Sequence, residues 1–145
     1  MSRYQDLHAD YTKRWQVEID HWNDLSNLAQ EVHSHFEAYL GIDPGAMVEI
    51  HGNNVPVLEI GRLDLNREFV AAAVSDLQRS DRGVEVALRL NFKLATSPLK
   101  TVQRVFFFTL AHVGDGFSAS VTNQLESIDI PCPPYKTLFD YLLAH

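Results

Sequence analysis

Apolar residues between Arg3 and Leu40 recur every three or four positions: Leu7, Tyr11, Trp15, Ile19, Trp22, Leu25, Leu28, Ala29, Val32, Phe36, Tyr39 and Leu40. That period places them on one stripe of a helix, and no glycine or proline interrupts it. Asn23-Asp24 is the one point where a second helix could start, with Asp24 or Ser26 as its cap. Gly41 and Pro44 supply the stop. Trp15, Trp22 and Phe36, spaced by heptads, suit either a helix lying on its own sheet or a seam between two copies.

The period then changes to two. Ala46 to His51 and Val55 to Leu63 predict short strands, with Gly52-Asn53-Asn54 as the hairpin turn. Asn66 to Ser80 reads better as helix than as strand. Phe69, Val70, Ala73, Val74 and Leu77 share a helical face, and three alanines disfavour a strand. Val84 to Leu94 alternates strictly, with Val86, Leu88, Leu90 and Phe92 on one side and Glu85, Ala87, Arg89, Asn91 and Lys93 on the other. Thr101 to Val113 and Phe117 to Thr122 form a hairpin across Gly114-Asp115-Gly116. Pairing Leu88 near Phe108 gives a core face of Val86, Leu88, Leu90, Phe92, Phe106, Phe108, Leu110, Ala119 and Val121. The same parity sends Val105 and Phe107 to the opposite, polar face, where they are either exposed or covered by a helix of this chain, a partner subunit or a ligand. Gln124 to Ile130 predicts a further strand. Ile130-Pro131-Cys132-Pro133-Pro134 is a rigid break, and Tyr135 to Ala144 is a short amphipathic helix.

These elements predict a single α+β domain over residues 1–145. A long N-terminal helix, or a helical hairpin, packs on a curved antiparallel sheet of about five or six strands, and a short C-terminal helix closes it. The element order resembles that of NTF2-like cones, which hold a pocket between helix and sheet, and of small acidic homodimeric chaperones of type III secretion. The likeness is one of order alone, because no residue motif carries it.

A hydrophobic fraction of 46% and a charged fraction of 21% are those of an ordinary globular chain. A net charge of −7 with scattered basic residues argues against a nucleic-acid partner. Cys132 is the one cysteine, so no intrachain disulfide can form. The opening MSRYQDLHADY has no apolar signal core, and no apolar run approaches the roughly 20 residues of a membrane helix. A cytoplasmic protein without a membrane partner is predicted.

Candidate chemistry is sparse. Glu31 with His35, and His33 with Glu37, are i, i+4 pairs, but no closed four-ligand spacing accompanies them, so no metal and no cofactor are predicted. His51, near Glu49 and Asp43 at a turn, has the makings of a general base but no nucleophile beside it. Arg104 and His112 interrupt an apolar strand face, and Glu59 stands between Leu58 and Ile60. A curved sheet would gather His51, Glu59, Arg104 and His112 as the polar lining of a pocket. No phosphate loop or serine elbow is present. Whether the chain is an enzyme is left open by these residues. The pattern predicts a non-catalytic interaction module, adaptor- or chaperone-like, that binds a protein partner or itself as a homodimer. Trp15, Trp22, Val105 and Phe107 are its candidate interface residues. The alternative is an NTF2-like small-molecule pocket protein or enzyme.

Overall fold

The computed structural model describes residues 2–80, 83–94, 97–113, 116–122, 127–132 and 134–144. The predicted first helix is one continuous element, α1 (Arg3–Leu40), of 38 residues. At 1.5 Å per residue it is about 57 Å long. Ser2 caps it: its hydroxyl accepts from the Gln5 backbone while the Gln5 side chain reaches back to the Ser2 backbone. Gly41, at φ 75, ends it in the left-handed conformation that glycine adopts without strain. Asn23-Asp24 does not break the helix, so it is not a hairpin.

Among the described residues, nine strands follow. These are β1 (Met47–Ile50), β2 (Asn53–Pro56), β3 (Leu58–Leu63), β4 (Phe69–Ala71), β5 (Arg79–Ser80), β6 (Gly83–Leu94), β7 (Ser97–Val113), β8 (Gly116–Thr122) and β9 (Ser127–Cys132). The second helix, α2 (Lys136–Ala144), closes the chain. Among the described residues, β3 to β9 form a seven-stranded antiparallel sheet in the order β4-β3-β6-β7-β8-β9, with β5 also on β6. That is more than the five or six strands predicted. β1 and β2 form a separate ribbon whose turn is His51-Gly52, both at positive φ, so Asn53 and Asn54 are strand residues rather than turn. Gly114 and Asp115 of the predicted second hairpin, and residues 124–126, lie outside the described residues.

The helix predicted over 66–80 is absent. In its place stand β4, a single 3₁₀ turn (Val74–Asp76) and β5. Gly61 explains β4. A Cβ there would meet the Val70 carbonyl oxygen at 2.1 Å, so the bare glycine lets β4 approach β3. Phe69 occupies the notch, with the Arg89 guanidinium 4.4 Å above its ring centre. Pairing with a ready sheet edge outweighs the modest helical preference of three alanines.

Parity decides the core. β6 and β7 pair as Val86↔Phe108 and Leu88↔Phe106, two residues away from the predicted register but with the same faces inward. Val86, Leu88, Phe108, Leu110 and Ala119 are fully buried beneath Leu25, Ala29, Val32 and Phe36 of α1. Phe92, predicted in this core, lies near the sheet's end and is 39% exposed. α2 seals the far end, where Phe139 meets Phe36 edge-on at 4.8 Å and Phe36 meets Phe106 at 5.3 Å. Tyr135 ties it to α1, donating to Glu31 with its ring tilted against His35, so this pair anchors a helix.

Candidate functional site

Only the second half of α1 lies on the sheet. Every residue from Arg3 to Glu18 is exposed, and the first buried one is His21. The overhang therefore projects about 24 Å past the core. Its helix is held by local contacts: Arg14 with Asp10 at 2.9 Å, Gln16 with Asp20 at 2.9 Å and the Ser2 cap. Because it continues a packed helix, no new nucleus has to form.

The overhang carries Tyr4 at 75% exposure, Leu7 at 57%, Tyr11 at 64% and Trp15 at 63%. At about 100° per residue these four fall within the same arc of about 100° as Trp22, Leu25, Ala29, Val32 and Phe36. The stripe that makes the core therefore runs on, uncovered, along the side of the helix that the sheet occupies. The sheet stops at the end of β7 and the start of β8, where His112 sits 4.8 Å from His21 and 4.6 Å from Phe117.

The four interface residues have different fates. Trp15 is on the exposed stripe. Trp22 belongs to the monomer core, donating its indole N–H to Glu18 at 2.9 Å beneath the Arg79 guanidinium. Val105 is 42% exposed on the outer sheet face. Phe107, on the same face, is half-buried, and its cover comes from this chain. An Asx turn at Asp64, which accepts from the backbones of Asn66 and Glu68, carries Arg67 to 5.4 Å from the Phe107 ring centre.

The four residues predicted to line one pocket are dispersed. His51 is exposed in the β1–β2 turn. Arg104 donates to the Leu142 and Leu143 carbonyls at the C-terminus of α2, where a cation suits the helix dipole. His112 stands at the rim beside His21. Glu59 faces away from α1 and is buried in a network the sequence reading missed. Its carboxylate accepts from Arg89 at 2.6 Å and Asn91 at 2.8 Å, and Asn91 in turn accepts from Gln103 at 2.8 Å. Strand alternation placed Asn91 with Arg89 on one face, but only the β3–β6 register brings Glu59 opposite them.

Among the described residues, apolar side chains fill the centre of the layer between helix and sheet. A groove of about 560 Å³ does open at the edge of β3, between α1 and the Ala71–Ala73 segment. His33 and Glu37 line it. A His33 ring nitrogen, Nε2, lies 2.8 Å from the Leu58 carbonyl oxygen, while Nδ1 is buried without a hydrogen-bond partner, 3.5 Å from the Glu37 carboxylate. Donation from Nε2–H to the carbonyl leaves Nδ1 as the ring's acceptor in the neutral form. Among the described residues, no three or more His, Cys, Asp or Glu are placed to hold a metal ion, and no helix is long and apolar enough to cross a membrane.

These features define a class: an antiparallel α+β domain with one amphipathic helical arm outside its core. No family model, curated protein or solved structure matches the chain.

Proposed function

We propose that this chain is a non-catalytic protein-interaction module, adaptor- or chaperone-like, that works inside the cell and associates with itself. One observation carries the reading: half of α1 extends past the core with Tyr4, Leu7, Tyr11 and Trp15 more than half exposed on a continuous stripe. Scattered apolar side chains on a surface need no explanation, whereas an aligned aromatic stripe is what a partner covers. His51, Glu59, Arg104 and His112 do not come together as an acid–base site. The lone Cys132 suits a reducing compartment.

Sedimentation velocity at micromolar concentration tests it. The wild type sediments as a multiple of its 16.5 kDa chain mass. Trp15→Asp weakens the association by about thirty-fold or more, as for an interface hot spot, while the cooperative melt is kept and its midpoint falls by no more than a few degrees. A wild type that stays a monomer across the dilution series overturns the self-association reading. A small-molecule reading rests on the β3-edge groove with its unpaired His33 nitrogen. In that case a thermal-shift screen finds ligands whose effect His33→Ala abolishes.

A further inference from the structure

We infer that the occupant of the α1 stripe is the α1 stripe of a second copy, lying antiparallel across a two-fold axis, with Arg3 of each chain against Glu18 of the other. This rests on the interaction reading above and names its partner and geometry.

Direction follows from sterics. The stripe and the sheet lie on the same side of α1. A parallel partner helix would run from the overhang straight into the sheet of the first copy. An antiparallel partner leads its own core away past Ser2, into open solvent, and only its N-terminus approaches the rim at His112 and Phe117.

Charge selects a second copy. The whole chain carries −7, which opposes the meeting of two copies over most of their surface. From Arg3 to Glu18 the charges balance, with Arg3, Lys13 and Arg14 against Asp6, Asp10 and Glu18. Full overlap of two antiparallel overhangs brings Arg3 level with Glu18 at both ends, on the flank the two-fold axis preserves. It also sets Glu18 beside the partner's helix N-terminus, where the dipole favours an anion. A carboxylate accepts several hydrogen bonds, so the indole bond from Trp22 is compatible with a guanidinium from the partner.

Area agrees. Side chains of this size at this exposure, three aromatic and one leucine, offer about 100–150 Å² each. The four stripe residues of two chains thus remove about 1,000 Å² from water, the level at which a contact becomes a specific interface. The two-fold arrangement makes the patch its own complement.

The test is a charge exchange read by sedimentation. Arg3→Glu alone and Glu18→Lys alone each turn two attractive contacts into two repulsive ones, weakening the dimer by about ten-fold. Mixed in equal amounts they pair as a heterodimer in which both contacts are attractive again, and wild-type affinity returns. A second measurement does not depend on Glu18→Lys folding. In a Cys132→Ser background, spin labels on Val17→Cys read the separation of the two helix axes at that position, about 22 Å in the antiparallel dimer and about 10 Å in a parallel one, each lengthened because Val17 faces away from the stripe. A dimer that Trp15→Asp abolishes, with no recovery on mixing or with the short label distance, overturns the antiparallel assignment and leaves the interaction reading standing. A monomeric wild type overturns both.

Discussion

Phe107 and Phe108 are chain neighbours with opposite fates, because successive strand residues point to opposite faces. Phe108 is fully buried under α1, and Phe108→Ala leaves a cavity that costs about 3–5 kcal/mol. Phe107 has only its Arg67 cover and partial burial to lose, so Phe107→Ala costs under about 2 kcal/mol. Urea denaturation of the two variants reads this contrast. Equal losses would mean that the outer face is as firmly packed as the inner one. The face of each residue was legible from alternation. The cover over Phe107 was not, since it depends on a turn at Asp64 whose target is some forty positions away in the chain.

The helices show how elements are fastened at their ends. Tyr39 of α1 donates to one oxygen of Asp140 in α2, while Lys136 donates to the other at 2.7 Å. The Lys136 bond, then the Tyr39 bond, holds the Asp140 carboxyl below its ordinary range. The same carboxylate raises Tyr39 and Lys136 above theirs. The depressed acid supports helix docking above about pH 4 and loses that support as pH falls through its own lower value. The two raised groups support it fully below about pH 10 and lose it as pH climbs through their higher values. An NMR titration should therefore find Asp140 ionising below the ordinary carboxylate range, and Tyr39→Phe should move it back up. An unshifted midpoint would show that water screens the cluster fully. The i, i+4 spacing of Lys136 and Asp140 is visible in the sequence, whereas Tyr39 reaches them only through the fold.

In the whole molecule, the length of α1 exceeds what its sheet can cover. α1 runs along β7, with Phe36 against Phe106 and His21 beside His112, one residue short of the end of β7, so the helix before His21 runs past the end of the strand. The core is complete without the overhang, so removing residues 2–17 should leave the remaining domain folding cooperatively, with its melting temperature lowered by no more than a few degrees, and monomeric. Circular dichroism melts and sedimentation of the truncated chain check both. A collapse of the melt would mean that the overhang supports the core. The sequence by itself determined the helical N-terminal stripe, though not whether it was one helix or a hairpin, and with it the alternating strands, the inward faces of β6, β7 and β8 and the closing helix. Each of these is set by local periodicity, capping and the demand to bury one face. Tertiary structure decided the rest. It made β4 out of an alanine-rich segment because Gly61 left room for a strand. It buried Glu59 by setting Arg89 and Asn91 across from it, and it scattered His51, Arg104 and His112. It also divided one uniform stripe into a buried half and an exposed half. Periodicity states which side of a helix is apolar, while only the sheet's extent states where along the helix that side is covered.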